Sequence, residues 1–153
     1  MKQSTCAGFT LVGLKLESKT TNEGGQSGID CGILWQKFEK ENFSDRIPNK
    51  LGDEIYAVYF DYEGDHTKPF SYFIGCKVKD TEDVPAGMTR LEIPGQEYQQ
   101  IIAKGTMPDC VANSRKAIWK SNVSRTFTYD FEMYDERSKD WSDATVEIYI
   151  STK

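Results

Sequence analysis

The sequence predicts an α+β fold of two β-α-β-β units related by a pseudo-twofold axis. They form an antiparallel sheet with helices on one face and a ligand cleft on the other. Three observations carry this prediction. Late in the chain, two segments alternate apolar and polar residues with period two, the signature of strands. Twice, an apolar stripe at helical spacing follows a strand-like segment. The order of elements in the first half recurs in the second.

The first strand is read over Phe9–Ser18, followed by a polar, Gly-rich loop from Thr20 to Gly28. A helix begins near Ser27, where Ser27 and Asp30 have capping-box spacing. Ile29, Ile33, Leu34 and Phe38 give it an apolar face, and Glu39, Lys40 and Glu41 a solvated side. Pro48 and Gly52 close that segment. Glu54–Tyr62 and Phe70–Val78, rich in aromatic and β-branched residues, form a hairpin around the turn 63–69. A charged connector, 79–88, stands at mid-chain, with Asp80, Glu82 and Asp83 read as solvated. Thr89–Gly95 then leads into a strand over Tyr98–Gly105. Thr106 and Asp109 repeat the capping-box spacing before a helix through Val111, Ile118 and Trp119. Thr128–Tyr134 and Val146–Ile150 complete the plan, which is that of one domain over 1–153 with halves about 9–78 and 89–151. Aligning the halves sets Trp35 against Trp119, Tyr56 against Phe131, Ala57 against Glu132 and Tyr59 against Tyr134. In the last strands it sets Phe73 against Glu147 and Gly75 against Tyr149.

The bulk properties exclude several classes. A chain of 153 residues with 38% hydrophobic and 28% charged residues can bury a core. No apolar run approaches the roughly 20 residues that span a bilayer, and the N-terminus lacks the apolar stretch of a signal peptide. A cytoplasmic protein without membrane attachment is expected. The net charge of −5 and the lack of a basic stripe argue against direct nucleic-acid binding. Cys6, Cys31, Cys76 and Cys110 have no metal-ligand spacing and read as small buried hydrophobes. His66, the single histidine, lies in a turn, so neither a His-based triad nor a histidine-rich metal site is expected. With no GxGxxG or P-loop pattern, no cofactor is expected.

The two late strands hold the candidate site. Tyr129, Phe131 and Met133 share one face of the first, and Asp130, Glu132 and Tyr134 the other. Val146, Ile148 and Ile150 oppose Glu147 and Tyr149 in the second. If the acidic faces coincide, Glu132, Tyr134, Glu147 and Tyr149 form a patch of carboxylates and rings. A buried carboxylate in an aromatic wall suits a lipophilic cation. The same alternation also describes an ordinary sheet with a solvated face, and the residues alone leave both readings open.

The ordered set Ile33-Leu34-Trp35-Gln36-Lys37-Phe38, Ile47-Pro48-Asn49, Ile55-Tyr56-Ala57-Val58-Tyr59, Tyr72-Phe73-Ile74-Gly75, Ile93-Pro94-Gly95, Ala117-Ile118-Trp119, Asp130–Tyr134 and Val146–Ile150 covers nearly the whole chain. In this it resembles the GyrI-like effector-binding domains, the ligand-sensing modules of AraC- and MerR-type multidrug transcription regulators. With no DNA-binding segment before Phe9, the expectation is the stand-alone form. The chain departs from the family pattern at Lys120-Ser121-Asn122-Val123-Ser124, where an aromatic-Leu-Pro is usual. The resemblance implies a fold of two β-α-β-β units around a ligand groove. It further implies that Glu132 faces cationic or polar ligand groups, with Glu147 and Tyr149 close by.

With that family in view, the expected ligand-binding residues are Glu132, Tyr134, Glu147, Tyr149, Tyr59, Phe73, Tyr98, Trp35 and Trp119. Both tryptophans and the rings of Phe73 and Tyr98 suit core packing as well. The expected partner is a lipophilic cationic small molecule, with a separate regulator or enzyme receiving the signal. Two other functions use the same features. Some relatives of the family are hydrolases, and a carboxylate buried among rings, Glu132, could act as general base or acid. An acidic surface could instead inhibit a DNA-handling enzyme by protein–protein contact. If Glu132 is an unpaired buried carboxylate, Glu132→Gln should leave folding stability unchanged or slightly raised.

Overall fold

The computed structural model describes residues 2–79, 84–121 and 123–152. Asp80, Glu82 and Asp83 of the connector, and Asn122, lie outside them. Eight strands and two α-helices follow in order among the described residues: β1 (Lys2–Cys6), β2 (Phe9–Lys15), α1 (Gln26–Lys40), β3 (Lys50–Phe60), β4 (Ser71–Val78), β5 (Thr89–Ile93), β6 (Gln96–Gly105), α2 (Asp109–Trp119), β7 (Tyr129–Tyr134) and β8 (Ala144–Ser151). The strands form one sheet in the order β1-β6-β8-β7-β3-β4-β2-β5, antiparallel at every pairing.

The two units are β2-α1-β3-β4 and β6-α2-β7-β8, meeting at β3 and β7. Ala57 and Glu132, the positions matched by the repeat, are also direct partners across that seam. The pseudo-twofold axis therefore passes through this pair. The small side chain of Ala57 leaves space above the seam, and Glu132 fills part of it.

Two strands were not legible in the sequence. Lys2–Cys6 pairs with β6, and Thr89–Ile93 pairs with β2. Lys2–Cys6 is polar and shows no alternation, whereas Thr89–Ile93 alternates Leu91 and Ile93 with Arg90 and Glu92 but is only five residues long and was read as a lead into the next strand. Each half thus begins with a strand that joins the other half. The connectors to β2 and β6 are two residues each, Ala7-Gly8 and Pro94-Gly95. These spans join strands at opposite ends of an eight-stranded order, so the sheet must curl on itself. The connectors pack together: a Cβ on Gly8 would lie 3.0 Å from the Ile93 carbonyl oxygen. The space inside the curl is filled by side chains from all eight strands, including Cys6, Leu11, Val58, Phe73, Ile93 and Tyr98.

Both helices lie on the outer face. Leu34 and Phe38 of α1 pack on Val12, Ala57, Tyr72, Ile74 and Cys76. Cys110 and Ile118 of α2 pack on Ala103, Val146, Ile148 and Ile150. The expected apolar face of α1 is corrected: Leu34 and Phe38 are buried, but Ile29 and Ile33 are 58% and 61% exposed. The side of α1 that faces the other helix carries small residues and Trp35 instead. The expected caps also differ. Neither helix has a side-chain cap. Ser27 Oγ donates to Asn22 Oδ1, and Asp30 accepts from Thr20 and Gln26.

Gly13 and Gly75 are paired between β2 and β4. A Cβ on Gly75 would come 2.4 Å from the Val12 carbonyl oxygen and 2.6 Å from the Phe73 ring. Gly75 therefore permits close strand approach on the inner face.

Candidate functional site

The main cavity, about 1100 Å³, opens between α1 and α2 over the β3–β7 seam. It is on the helix face, not on the opposite face where the sequence placed the cleft. The reason is that both faces of this sheet are covered. The inner face closes on itself, while two helices at opposite ends of the outer face leave a groove between them.

The floor is Glu132, 1% exposed, on the axis. Its Oε1 accepts from the Tyr134 hydroxyl at 2.5 Å and its Oε2 from the Tyr59 hydroxyl at 3.1 Å. Tyr59 and Tyr134 are matched by the repeat, so the two phenols flank the carboxylate from the two halves. Tyr72 abuts Tyr59 edge-on at 5.0 Å between ring centroids and accepts from Trp35 Nε1 at 2.8 Å. Trp35 in turn leans on Tyr134, 5.0 Å between centroids. Trp119 stacks on His66 at 5.1 Å and closes the far end. From α1 the wall is Ser27, Gly28, Cys31 and Gly32, at spacings that bring them to one helix side. A Cβ on Gly28 or Gly32 would meet nothing within 4 Å, so the wall is thin there and the groove wide.

Arg115 of α2 completes the site. Its Nε lies 3.9 Å from Glu132 Oε2, and its guanidinium carbon sits 4.2 Å from the Tyr59 ring centroid. Its side chain is 12% exposed. Glu132 is therefore not an unpaired carboxylate. Burial opposes the Arg115 charge, but the groups around it, Tyr59 and Glu132 foremost, hold its pKa above the ordinary value. Burial first, and then the Glu132 charge, push Tyr59 and Tyr134 well above the usual phenol range. Burial also raises Tyr72, with Cys31 and then Glu132 adding to it. All three remain protonated donors at neutral pH. Burial, with Glu132 next, pushes the Cys31 thiol up to about 12, so it is not a thiolate nucleophile.

Of the residues expected to bind ligand, Trp35, Tyr59, Trp119, Glu132 and Tyr134 line this cavity. Glu147, Tyr149, Phe73 and Tyr98 do not. Register explains the division: Glu132 pairs with Ile148 and Phe131 with Tyr149. Paired residues share a face, so the acidic faces of the two late strands point to opposite sides. Tyr149 stacks on Phe131 at 4.6 Å inside the curl, and its hydroxyl donates to Glu147 Oε1 at 2.5 Å. Burial works to raise Glu147, but Tyr149 and then Arg137 hold its carboxyl below the usual range. Phe73 and Tyr98 are fully buried in the same inner core. Among the described residues, no cluster of His, Cys, Asp and Glu could hold a metal ion, and no helix is long and apolar enough to cross a membrane.

Residues 5–151 match the family described as integron-associated effector binding protein, Cass2. The chain belongs to this family. Among solved structures, the Vibrio cholerae integron cassette protein VCH_CASS2 is 26% identical, with a TM-score of 0.74 over 99% of this chain and 95% of that one. SAV2435, solved with tetraphenylphosphonium bound, has a TM-score of 0.78 at 21% identity, over 99% of this chain and 93% of that one. The transcriptional regulator BrlR of Pseudomonas aeruginosa is 30% identical over 150 residues, 93% of this chain. The present chain spans about half of BrlR, 51% of its length. The fold is thus that of the GyrI-like effector-binding proteins, with transcriptional regulators among the relatives.

Two features of this effector-binding protein were missed in the sequence. Arg115 gave no signal, because one arginine on an amphipathic helix reads as a solvated residue. The stripe Gly28, Cys31, Gly32 and Trp35 was visible at helical spacing, but the isoleucines beside it drew the apolar face to the wrong side.

The phenols also set a pH limit. Burial is the largest cause raising Tyr56 and Tyr98, each up to about 12. A folded value above the unfolded one near 10 means that the unfolded chain loses these protons first. Their stabilisation is complete below pH 10 and is lost as pH rises toward 12. Urea unfolding at stepped pH should show stability level to about pH 9 and falling above pH 10. Ring signals of Tyr56 and Tyr98, followed by NMR, that titrate near pH 10 in the still-folded protein would contradict the burial argument.

Proposed function

We propose that this protein binds lipophilic cations in the groove between α1 and α2 as a small-molecule sensor. The observation that carries this reading is a buried carboxylate, Glu132, at the floor of a cavity walled by Trp35, Tyr59, Tyr72, Tyr134 and Trp119. Aromatic faces attract cations through their quadrupoles, and a desolvated carboxylate adds a fixed countercharge. The outer wall strengthens the bias: Glu39, Asp53, Glu54, Asp135 and Glu136 line the cavity against Lys116 and Lys139. SAV2435 shares the fold and binds tetraphenylphosphonium, a ligand of this class. In this reading the output of binding passes to a transcriptional response, as the relation to BrlR suggests.

Tetraphenylphosphonium and tetraphenylborate have nearly the same shape and opposite charge, which makes them the test pair. Calorimetry should give micromolar-range binding of the cation, about −8 kcal/mol, and much weaker binding of the anion. Equal affinity for the two would show that the rings act without the carboxylate and would end the cation reading.

A further inference from the structure

Arg115 is where the cavity departs from a simple cation trap. Its guanidinium lies over Tyr59 and beside Glu132, at 4.2 Å and 3.9 Å. Those are the two contacts that a ligand cation would seek here. Yet Arg115 is poorly held. Its Nη1 is buried with no hydrogen-bond partner among the described residues, and its approach to Glu132 exceeds hydrogen-bond length. Both Glu132 oxygens already accept from phenols. A buried guanidinium with an unused donor is an expensive arrangement.

We propose that Arg115 is a built-in occupant of the cation subsite, which a ligand must displace from Tyr59 and Glu132. This rests on the cation-binding reading above. The exchange is one cation for another, so the Glu132 carboxylate is never left without a countercharge. Arg115 has alternative partners on leaving: Asp135 and Glu136 after β7 and Glu39 on α1 line the same cavity. The long side chain of arginine can swing on α2 without moving the helix. The device sets a threshold. A weakly stacking cation does not compete with Arg115, whereas a large aromatic one gains enough contact to expel it. Apparent affinity is then the intrinsic affinity reduced by the fraction of molecules in which Arg115 has vacated the subsite.

The test is calorimetry of tetraphenylphosphonium and tetraphenylborate with the wild type, Arg115→Gln and Glu132→Gln. Arg115→Gln should bind the phosphonium tenfold or more tightly than the wild type, and small cations such as tetramethylammonium should become detectable ligands. Unchanged or weaker phosphonium binding in Arg115→Gln, with Glu132→Gln still weakened, overturns the displacement and leaves the cation site standing. No phosphonium binding in wild type or either variant overturns both. A wild-type phosphonium complex supplies a readout that does not depend on a variant folding. The Arg115 guanidinium should be found away from the Tyr59 face, and a ligand bound against Glu132 with Arg115 still in place refutes the proposal.

Discussion

Asp130→Ala should lower folding stability by about 3–5 kcal/mol, the range for removing one partner of a buried ion pair. Asp130 is fully buried and has four donors. Oδ1 accepts from the Ser151 amide at 2.7 Å and its hydroxyl at 2.8 Å, while Oδ2 accepts from the Tyr62 hydroxyl at 2.6 Å and Arg125 Nη2 at 2.8 Å. Alanine would strand all four. Arg125 is the costliest of them, since its side chain is 6% exposed and its Nε and Nη1 already lack hydrogen-bond partners among the described residues. The network ties the end of β8 to the start of β7 and to the chain after α2, so its loss should be felt globally. Urea unfolding of Asp130→Ala and Asp130→Asn measures it. A loss under about 1 kcal/mol would mean that water replaces the carboxylate and that the site is not closed.

Glu132→Gln should weaken tetraphenylphosphonium binding on the order of ten- to a hundredfold. The partly desolvated, charge-assisted contact that it removes contributes roughly 1.5–3 kcal/mol. Stacking on Tyr59 and Tyr134 survives, so tetraphenylborate should bind no worse than to the wild type. The stability forecast changes sign from that for an isolated buried carboxylate. Glu132 accepts two phenolic hydrogen bonds and neutralises Arg115. The amide keeps one acceptor and loses the charge, so stability should fall by about 1–2 kcal/mol. Calorimetry and thermal unfolding on one preparation give both numbers. A hydrolytic role makes a separable forecast, in which the variant loses turnover and retains affinity. Cation affinity unchanged in Glu132→Gln would remove Glu132 from the site.

Most elements were legible in the sequence: β2, β3, β4, β6, β7, β8 and both helices. So was the repeat, including the match of Ala57 to Glu132 that the structure places on the axis. The relative facing of strands was not. Alternation in one strand says that two faces differ, and it does not say which face is shared with a neighbour. Phe131 and Met133 go inside the curl while Val146, Ile148 and Ile150 go beneath α2, so the apolar faces of adjacent strands are opposite faces of the sheet. That is why Glu132 and Tyr134 line the cavity and Glu147 and Tyr149 do not. Arg115 was illegible for a related reason. Its burial comes from the groove between the two helices, a product of tertiary packing that helical periodicity cannot encode.

The exchanged strands β1 and β5 make the two repeats a clasp closed within a single chain. Each half lends its first strand to complete the other's sheet, so neither has a self-sufficient edge at which assembly can stop. The native contacts that seal the molecule are among its most distant in sequence, Lys2 to Gln100 and Ser4 to Tyr98 among them. The opening strand of the first unit has no place to dock until β6 of the second is present, and pairings this distant in sequence slow folding. The seam that carries Glu132 joins the same two units, so the floor of the pocket also depends on both halves being in place.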